Sequence, residues 1–382
     1  MQEKKKILHV AQSAGGVANY ISMLLSEMQE YDYENILVLS EDYNNNIKND
    51  LKNISKKIYS LPMQRSIFSV GNLKSIFKLK KIIKDEKPDI VYMHSSFAGA
   101  VGRIALLFNK KCKKVYNAHG WYFNAQISNK KKRIFKILEK ILAKNTNMII
   151  NISQSEYESA IENMIAPKEK MCIINNGIDF AKFNSKKLKI ARDKIRNQYR
   201  IKDKDIVIGV AARLDEQKDP LTFIKTMKIL NEKYNNLKFM YIGTGNLEQV
   251  VIDYAKENQL YDRLIITGWI QNYEEYISAL DIAVLPSKWE GFGLAIIDYM
   301  ATRKPIVASN IGGIANIIKN GVNGFLVTPE DIQEFANKIE EYIIKPETAK
   351  EMVEKNYEYA IRNFNIKKVA KEHIKLFEKL LK

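Results

Sequence analysis

Two acidic residues, eight positions apart, flank a glycine turn in the second half of the chain. Glu290 precedes Gly291-Phe292-Gly293, and Asp298 lies within the apolar run after the turn. Glycine lets a backbone approach a ligand closely, and the free amides at the start of a following helix suit a phosphate. Carboxylates do not bind phosphate, but they accept hydrogen bonds from the hydroxyls of a sugar and a ribose. The block therefore predicts a nucleotide-sugar site.

Two basic residues, five positions apart, follow an earlier apolar run. Arg213 comes directly after residues 206–212, and Lys218 lies just before Pro220, which can occupy the first turn of a helix. A guanidinium binds phosphate oxygens bidentately, and a lysine adds a compact point charge. The pair can therefore neutralise a leaving diphosphate. An ordinary surface pair beside a loop is the alternative.

Together, the two segments resemble the retaining glycosyltransferases of family 4, which have the GT-B fold. Glu290 and Asp298 match the E-x7-E region of that family, and Arg213 with Lys218 matches its R-x4-K pattern. The resemblance extends in pieces over nearly the whole chain. It departs at Asp298, where the family usually has glutamate. The loss of one methylene predicts a looser or water-bridged grip on ribose hydroxyls.

The resemblance implies a transferase that uses a nucleotide-diphosphate sugar, with UDP as the expected nucleotide. We assign catalysis to His119, Arg213, Lys218 and Glu290: the two cations act on the diphosphate, while Glu290 and His119 hold the donor sugar. Asp298 would hold the ribose. No metal or other cofactor is expected, because lysine and arginine supply the positive charge. The other donor-binding positions are Gly15, Gly16, Gly243, Gly245, Gly291, Phe292, Gly293 and Leu294.

The glycine turn near the N-terminus follows the first apolar run. Gly15 and Gly16 lie within residues 13–20 and do not form G-x-G-x-x-G, so a dinucleotide site is disfavoured. A double glycine permits close approach to a phosphate, and plain tight-turn packing is an equally good interpretation. In the resembled family this loop lies over the donor diphosphate and beside the acceptor.

A histidine and several aromatic residues follow a later apolar run. His119, next to Gly120, resembles the family's histidine that contacts the donor sugar, although a lone histidine is often structural. Trp121 and Tyr122 can stack on an acceptor sugar or fill the core, and the sequence leaves both roles open. His94 ends the preceding run at the same edge of the predicted sheet. Ligands bind outside the carboxyl ends of such strands, so His94 is an acceptor-side candidate.

Short apolar runs alternate with longer helical patterns in two series. This alternation predicts parallel sheets covered by helices, and two series predict two Rossmann-like domains of the α/β class. The resemblance to the GT-B fold implies that the domains face each other across a cleft. Strands are expected at 7–11, 35–39, 90–93, 115–118 and 148–152, and again at 206–211, 238–242, 264–267, 282–285 and 305–308.

The boundary between the domains is expected near residue 178. Residues 1–178 would form the acceptor domain and residues 179–362 the donor domain, with the polar stretch from about 175 to 205 as the linker. An apolar stripe at helical spacing follows residue 363. By resemblance, this last helix, about 363–382, crosses back to the N-terminal domain.

The length and composition exclude several classes of protein. The 382 residues suit two ordinary domains, and a 46% hydrophobic content suffices for buried cores. No apolar run approaches 18 residues, and the first is too short for a signal peptide, so we expect a cytoplasmic protein without a transmembrane helix. Cys112 and Cys172 are far apart and none of the four histidines forms a metal motif, which favours reduced thiols and no metal site.

Positive charge is concentrated in one segment. Residues 48–144 hold 23 Lys and Arg against 5 Asp and Glu, whereas the whole chain has a net charge of +17. Such a patch seeks polyanions, and the basic amphipathic stretches at 72–87 and 131–144 can lie on an anionic membrane surface. The alternative, favoured for 131–144, is that each apolar stripe faces the sheet and only the charges face out. No recognition motif for nucleic acid is present, so none is expected as a partner.

The basic N-terminal half and the segment His119 to Trp121 resemble bacterial enzymes that build capsule, exopolysaccharide or O-antigen. The expected acceptor is a glycan or a polyprenyl-diphosphate-linked sugar, reached at the inner face of the cell membrane. Two alternatives stay open. A GT-B epimerase would consume a sugar nucleotide without an acceptor, and a non-catalytic partner of a transferase would bind nucleotide weakly or not at all.

Overall fold

The chain folds into two α/β units, each built on one parallel sheet. The computed structural model describes residues 4–12, 15–43, 45–66 and 69–382. One unit comprises Met1–Gly177 together with Ile366–Lys382, and the other comprises Ile178–Asn365. Ser13 and Ala14 of the predicted glycine turn lie outside the described residues. The first unit is therefore discontinuous in sequence.

Seven parallel strands form the first sheet. They are β1 (Lys5–Ala11), β2 (Tyr33–Ser40), β3 (Lys57–Leu61), β4 (Ile90–His94), β5 (Lys113–Asn117), β6 (Met148–Asn151) and β7 (Met171–Ile173). Their order is β3-β2-β1-β4-β5-β6-β7. The central strands are continuous apolar runs because helices cover both faces of the sheet. The order reverses between β1 and β4, where sheets of this kind open a crevice.

Two layers of helices cover the first sheet. One layer contains α1 (Gly15–Met28), α2 (Asn45–Lys52) and α15 (Ile366–Leu381). The other contains α3 (Val70–Glu86), α4 (Ser96–Ala105), α5 (Asn129–Ala143) and α6 (Gln154–Glu162). Three of these helices begin at a serine whose hydroxyl accepts a hydrogen bond from the backbone amide three residues later, which satisfies an amide of the first turn. These caps are Ser69, Ser128 and Ser153.

The second sheet has six parallel strands. They are β8 (Ile206–Ala211), β9 (Leu237–Ile242), β10 (Leu264–Ile266), β11 (Ile282–Leu285), β12 (Ile306–Ser309) and β13 (Phe325–Val327). The order β10-β9-β8-β11-β12-β13 reverses between β8 and β11. Its helices are α7 (Ser185–Gln198), α8 (Pro220–Lys233), α9 (Glu248–Glu257), α10 (Tyr273–Ser278), α11 (Leu294–Ala301), α12 (Gly312–Ile317), α13 (Ile332–Ile344) and α14 (Pro346–Phe364).

The predicted fold class is confirmed, and each predicted strand corresponds to an observed one. The bounds agree within about two residues at each end, as is usual for strand assignments. The sequence missed β3, β7 and β13, which all lie at sheet edges. β7 and β13 have only three residues each, and β3 contains polar residues, so none of them shows a long apolar run.

The polar stretch expected to be a linker is wrongly predicted, because its central part, Ser185–Gln198, forms α7. Arg192 and Arg196 of this helix pair with Asp281 at 2.5 and 3.1 Å. Arg192 also donates hydrogen bonds to two backbone carbonyls just before β11, at 2.9 and 2.8 Å. The helix is attached to the second unit largely by arginines rather than by an apolar stripe, so hydrophobic periodicity does not reveal it.

Within the described part of the chain, no helix combines the length and the apolar character that crossing a bilayer would require. Cys112 is buried and Cys172 is half-buried, and both are free thiols. Burial raises the pKa of Cys112 to about 11 and that of Cys172 to about 12. Both side chains therefore stay protonated and unreactive at neutral pH.

Candidate active site

The predicted donor residues of the second unit meet at the carboxyl ends of two neighbouring strands. The loop 212–219, which carries Arg213 and Lys218, follows β8, and the loop 286–293, which carries Glu290, follows β11. We call these the basic loop and the acidic loop. The strand order reverses between β8 and β11, and ligands of such sheets bind in the crevice at this point. The structure therefore brings the basic pair and the first acid together.

Lys218 and Glu290 form an ion pair that is largely enclosed by the protein. The Lys218 ammonium contacts Glu290 Oε1, and the Ser287 hydroxyl donates to the same oxygen at 2.9 Å. Only 17% of the Lys218 side chain and 8% of the Glu290 side chain are exposed. Removing one partner of such a pair costs about 3–5 kcal/mol, because the other charge stays buried alone. An ammonium has three protons, so Lys218 can hold an anion while it stays bound to Glu290.

Gln217 joins the basic loop to the acidic loop, and sequence reasoning missed it. Its side-chain amide donates to the Trp289 carbonyl at 3.0 Å, and its Oε1 accepts from Arg213 Nη2 at 3.2 Å. Its backbone carbonyl accepts from the Lys288 amide at 2.8 Å. The bonds to Trp289 and Lys288 fix the distance between the loops, and the bond from Arg213 orients the Gln217 side chain within the basic loop. Its position inside the R-x4-K pattern was the one available signal, and spacing alone does not show which residue bridges.

Arg213 is anchored at its base and open at its tip. Its backbone carbonyl accepts from the Tyr241 hydroxyl at 3.1 Å. Its Nη1 lies 2.7 Å from Asp215 Oδ2, and 54% of its side chain is exposed. An ion pair this exposed contributes at most about 1 kcal/mol, so a phosphate can replace Asp215.

A glycine at the start of α12 packs behind the acidic loop. A Cβ on Gly313 would lie 2.4 Å from the Gly291 carbonyl oxygen and 2.5 Å from Phe292 Cα. The Gly313 amide also donates to the Glu290 carbonyl at 3.3 Å. Gly293, with φ of 90°, caps α11 in a conformation that suits glycine. Close backbone packing therefore fixes the acidic loop directly before the amides of the first α11 turn.

The glycines after β9 pack against the loop after β8. A Cβ on Gly243 would lie 2.0 Å from the Ala212 carbonyl oxygen, and one on Gly245 would lie 2.2 Å from the Leu214 carbonyl oxygen. The Leu214 amide donates to the Thr244 carbonyl at 3.1 Å. Backbone packing alone therefore requires glycine at both positions. The same packing brings this turn beside the basic loop.

Two aromatic residues hold α11 and the loop before it in place. Phe292 is 3% exposed and packs edge-to-face on an aromatic ring of α14, with 5.5 Å between ring centroids. The Tyr299 hydroxyl accepts from the Ala211 amide at 2.8 Å and donates to the Val284 carbonyl at 3.3 Å. Leu294, the first residue of α11, is half-buried. The side chain of Phe292 thus anchors the loop, which leaves only its backbone for a donor.

Asp298, the second acid, is 5% exposed inside α11. Burial is the main reason that its pKa rises to about 8, and the charge of Glu274 raises it further, while Tyr273 and Lys182 lower it. Its Oδ1 has no hydrogen-bond partner among the described residues. Buried polar atoms are usually satisfied, so this oxygen is a candidate ligand contact.

The histidine candidates lie at the carboxyl edge of the first sheet. His94 ends β4 and is 0% exposed, and His119 follows β5 with φ of 52°. His94 Nδ1 lies 3.0 Å from His119 Nε2, and His94 Nε2 lies 3.2 Å from His9 Nδ1. His94 therefore contacts other histidines and offers no exposed surface to an acceptor. Sequence reasoning missed His9, which it read only as part of a strand.

Trp121 fills the core of the first unit. It is 3% exposed, its ring stacks on Phe123 at 5.3 Å, and its Nε1 donates to Asn151 Oδ1 at 3.1 Å. Core packing is therefore the role that the structure supports, because an enclosed ring has no free face for a sugar. Tyr122 is half-buried, with its ring 4.5 Å from that of Phe135.

Gly15 and Gly16 begin α1 at the carboxyl end of β1, and Gly16 is exposed. Since β1 neighbours β4, this turn lies at the same edge of the first sheet as His94. The predicted strand and helix are therefore present in the first unit, at the reversal of strand order.

Two parallel-sheet units, each with candidate residues where the strand order reverses, define a protein of the GT-B class. Comparison with protein families agrees with this class. Residues 14–182 match Glycosyltransferase Family 4, and residues 191–359 match glycosyl transferases group 1.

Individual relatives make the assignment firm. The Escherichia coli UDP-Gal:alpha-D-GlcNAc-diphosphoundecaprenol alpha-1,3-galactosyltransferase is 34% identical over 284 residues, which cover 72% of this chain and 71% of that protein. The Staphylococcus aureus capsular polysaccharide biosynthesis glycosyltransferase CapM is 27% identical over 300 residues, covering 76% and 77%. The chain therefore belongs to the group 1 and family 4 glycosyltransferases, as the sequence motifs predicted.

The solved structures agree on the fold. Anabaena Alr3699/HepE, crystallised in complex with UDP and glucose, superposes with a TM-score of 0.83 at 21% sequence identity. The match covers 98% of this chain and 100% of that one. It confirms the predicted GT-B fold.

Proposed function

We propose that this glycosyltransferase moves a sugar from a UDP-sugar to a lipid-linked glycan acceptor, with retention of anomeric configuration, in the synthesis of a bacterial surface polysaccharide. The observation that carries the proposal is the pairing of Lys218 with Glu290 at the β8–β11 reversal. It puts a cation for the diphosphate in contact with a carboxylate for the sugar hydroxyls. The glycine turn beside the pair leads into the first turn of α11.

In the proposed reaction the bond between the anomeric carbon and the diphosphate oxygen breaks, and the acceptor oxygen bonds to the same face of that carbon. The acceptor proton passes to the leaving phosphate oxygen, so no protein nucleophile is needed. Lys218, Arg213 and the first amides of α11 would stabilise the negative charge that grows on the diphosphate. Glu290 would accept hydrogen bonds from the donor sugar, and Asp298 would hold the ribose.

The relatives support the choice of substrates. The Escherichia coli enzyme is named for UDP-Gal as donor and for a diphosphoundecaprenol-linked acceptor, and the HepE structure contains UDP. CapM is named for capsular polysaccharide biosynthesis. A donor of the same nucleotide class fits the cations of the basic loop, and we take the acceptor to be of the same lipid-linked class.

The helix layer α3–α6 of the first unit exposes apolar side chains beside its basic ones. Of the eighteen large apolar side chains that are exposed in the described residues, nine lie in this layer or its loops. Two rows at positions i, i+3 and i+7 each share one face of a helix. These rows, which we call the apolar rows, are Val70, Leu73 and Phe77 on α3, and Ile134, Ile137 and Ile141 on α5.

The interpretation that the apolar stripe of residues 131–144 faces the sheet is wrong for part of that stripe. The buried side of α5 consists of Phe135, Glu139, Leu142 and Ala143. Glu139 pairs with the buried Arg103 at 2.8 Å, so a charge fills a place that an apolar residue was expected to fill. The three isoleucines of the apolar row are therefore left on the outer face.

We infer that this layer rests on the anionic inner surface of the cell membrane, where a polyprenyl-diphosphate acceptor would be anchored. Each Lys or Arg close to such a surface contributes about 1 kcal/mol of binding free energy, and the segment 48–144 has a large excess of them. Apolar side chains on the same face can enter the headgroup region. The protein would then be cytoplasmic and peripheral.

A transfer assay tests the proposed reaction. Wild-type protein, Lys218→Ala and Glu290→Gln are incubated with UDP-galactose, UDP-glucose or UDP-N-acetylglucosamine and undecaprenyl-diphosphate N-acetylglucosamine, and the lipid product is measured. Both variants should lower kcat/KM by about 10²- to 10³-fold, the usual effect of removing one preorganised electrostatic contact. The matched control is Lys233→Ala, which breaks the exposed pair with Glu340. Wild-type rates in both site variants would reject the proposal.

A thermal-shift panel separates this function from its alternatives. Among UDP-, GDP-, ADP- and dTDP-sugars, only the UDP-sugars should raise the melting temperature. Lys218→Ala should lose this shift. Conversion of a sugar nucleotide to its epimer without acceptor would favour the epimerase. No shift and no turnover with any nucleotide would favour the non-catalytic partner.

Sedimentation with vesicles tests the membrane surface. Binding should require phosphatidylglycerol, weaken with salt, and fall in Phe77→Ser and Ile137→Ser. Ile190→Ser is the matched control, since Ile190 is 70% exposed on α7 of the other unit. Equal binding to neutral and anionic vesicles, insensitive to salt, would contradict the inference.

We also infer that the reaction needs no divalent metal, since Lys218 and Arg213 supply the positive charge. No cluster of three His, Cys, Asp or Glu side chains suited to a metal ion occurs among the described residues. Excess EDTA should leave the transfer rate unchanged. A rate lost with EDTA and restored by Mg²⁺ or Mn²⁺ would contradict this inference.

A further inference from the structure

All four histidines of the chain lie in one buried cluster of the first unit. His9 and His373 are 0% exposed, as is His94, and His119 is half-buried. Three of them form a row: His119 Nε2 contacts His94 Nδ1 at 3.0 Å, His94 Nε2 contacts His9 Nδ1 at 3.2 Å, and His9 Nε2 contacts Asn35 Oδ1 at 3.2 Å. The row therefore runs from the sheet edge into β2.

The end of the row fixes which nitrogen of each ring carries the proton. Burial lowers the pKa of His9 to about 4 and that of His119 to about 3, and it lowers the pKa of His94 well below its usual value. All three rings are therefore neutral at pH 7, with one N–H each. Asn35 Oδ1 is an acceptor, so His9 donates from Nε2 and accepts at Nδ1.

The same logic then applies to the next two rings. His94 must donate from Nε2 to His9, so its Nδ1 is an acceptor. His119 must donate from Nε2 to that acceptor, which leaves Nδ1 of His119 with a lone pair and no proton. This Nδ1 has no hydrogen-bond partner among the described residues.

A second hydrogen-bonded chain fixes the backbone of His119. His373 Nδ1 lies 2.8 Å from the Val369 carbonyl and must donate to it, so its Nε2 accepts from the Tyr92 hydroxyl at 3.0 Å. The Tyr92 oxygen accepts from Asn117 Nδ2 at 3.3 Å, and Asn117 Oδ1 accepts from the His119 amide at 2.8 Å. Each donor in this chain therefore meets an acceptor, from the Val369 carbonyl at one end to the His119 amide at the other.

The two chains together hold a strained residue. His119 has φ of 52°, which is unusual for a residue with a side chain and persists where the surroundings impose it. One chain orients the backbone and the other orients the ring. The two chains therefore keep the one unpaired ring nitrogen of His119 in a fixed orientation.

We propose that His9 and His94 are positioning residues that hold His119 as its Nε2–H tautomer, so that the Nδ1 lone pair accepts a hydrogen bond from a sugar hydroxyl of the substrate. This inference rests on the proposed function. It predicts that a substrate without that hydroxyl is rejected, because the buried acceptor would stay unpaired. The hydroxyl belongs to the donor or to the acceptor, and the experiment distinguishes them.

Nitrogen NMR of the wild-type protein with ¹⁵N-labelled histidine tests the tautomer directly. At pH 7 the Nε2 resonance of His119 should have the chemical shift of a protonated nitrogen, and the Nδ1 resonance should have that of an unprotonated nitrogen. The opposite tautomer would overturn the proposal. This measurement needs no enzymatic activity. The predicted tautomer can therefore be found wrong while sugar transfer is observed, or found correct while no transfer is observed.

Ligand titration in the same experiment identifies the hydroxyl. A change at Nδ1 of His119 with UDP-glucose or UDP-galactose, absent with UDP, assigns a donor hydroxyl. A change that appears only after methyl N-acetyl-α-glucosaminide is added assigns an acceptor hydroxyl. No change in either titration would overturn the proposed contact.

Two variants separate positioning from folding. His94→Leu leaves His119 Nε2–H without its acceptor, so the tautomers should mix and kcat/KM for transfer should fall roughly 10- to 100-fold, the usual effect of removing a group that orients a functional histidine. His94→Gln offers an amide oxygen as the acceptor instead. It should restore part of the preference for the Nε2–H tautomer and part of kcat/KM. Tyr20→Phe is the control, because the Tyr20 ring lies 5.2 Å from the His119 ring and its hydroxyl is unpaired. A shift of Nδ1 in Tyr20→Phe as large as in His94→Leu would overturn the assignment.

Discussion

Gly313 shows how one hydrogen atom in place of a side chain decides the geometry of the acidic loop. Its missing Cβ leaves room for the Gly291 carbonyl and for Phe292 Cα, both closer than any real Cβ contact. Glu290, whose carbonyl accepts from the Gly313 amide, is thereby held at the distance that its pairing with Lys218 needs.

Gly313→Ala should displace the acidic loop and weaken UDP binding about tenfold or more. Overpacking of this kind also lowers the free energy of unfolding by about 1–3 kcal/mol. Calorimetric titration with UDP measures the first effect, and urea unfolding measures the second.

The control for Gly313→Ala is a glycine variant that strains the backbone elsewhere. Gly321 has φ of 73° and open space around its missing Cβ. Gly321→Ala should lower the free energy of unfolding by about 1 kcal/mol and leave UDP affinity unchanged. Unchanged affinity in Gly313→Ala as well would separate the acidic loop from the donor site.

Asp298 makes the stability of the second unit depend on pH. Its folded pKa of about 8 lies above that of an unfolded aspartate, so the folded state binds its proton more tightly. Stability is therefore greatest below the unfolded pKa and is lost as pH rises towards 8. Asp298→Asn should remove this slope, which is at most about 1.4 kcal/mol per pH unit. Urea unfolding from pH 5.5 to 8 measures it, with the exposed Asp253→Asn as control. Equal slopes in wild type and Asp298→Asn would contradict the prediction.

Residue types and spacing singled out candidate residues of the site, but they did not show the hydrogen bonds that connect its loops. Arg213, Lys218 and Glu290 could be singled out because a phosphate and a sugar require such groups near glycines. Gln217 could not, because its importance comes from bonds to Trp289 in another loop. Contacts between distant segments leave no local pattern, and the histidine row is such a case.

At the scale of elements, α15 supplies part of the core of the first unit. One side of this helix packs on β1, β2 and β4 through a row of buried side chains. Phe377 is 0% exposed and contacts the rings of Tyr33, Tyr92 and His373. The helix therefore belongs to the core rather than to a loose tail.

Phe377→Ala should destabilise the first unit by about 3–5 kcal/mol, because it removes a large buried side chain and leaves a cavity. Lys375→Ala, on the exposed side of the same helix, should change stability little. Limited proteolysis in urea, with fragments identified by mass spectrometry, reports the midpoint for each unit. An unchanged midpoint for the first unit in Phe377→Ala would show that α15 does not stabilise it.

Strands and helices could be predicted from the sequence where burial of apolar side chains alone holds them in place. The central strands are apolar on both faces, so an uninterrupted run marks them. Helix α7 and the inner face of α5 are held by Arg192 and by the Arg103–Glu139 pair, which hydrophobic periodicity ignores. The edge strands β7 and β13 are only three residues long, and β3 contains polar residues, so none of them gives a long apolar run.

At the scale of the whole molecule, the two units should respond to acid in opposite directions. Burial lowers the pKa of all four histidines of the first unit, so the unfolded chain binds more protons below pH 6.5. That stability is present above pH 6.5 and is lost as pH falls. Burial raises the pKa of Glu156 to about 7 and also raises the pKa of Glu372, so these acids oppose the effect in the same unit, but they are two groups against four.

In the second unit the sign is reversed, because burial raises the pKa of Asp298 and of Glu274. Lys304, with a pKa lowered to about 7 by burial, titrates mostly above this range. From pH 7 to pH 5 the urea midpoint of the first unit should therefore fall while that of the second holds or rises. Proteolysis in urea with mass spectrometry resolves the two. A larger fall in the second unit would contradict the prediction.

The discontinuity of the first unit bears on the order of events during synthesis. Residues 1–177 leave the ribosome before the second unit, yet the carbonyl of Val369, which ends the chain of bonds to the His119 amide, emerges after it. Domains usually fold as they emerge, the N-terminal one first. Here the second unit has its complete sequence before the first one does. The geometry of His119 is therefore completed only after the whole second unit has been made, so a chain truncated before α15 is expected to bind nucleotide in its second unit without being able to act on it.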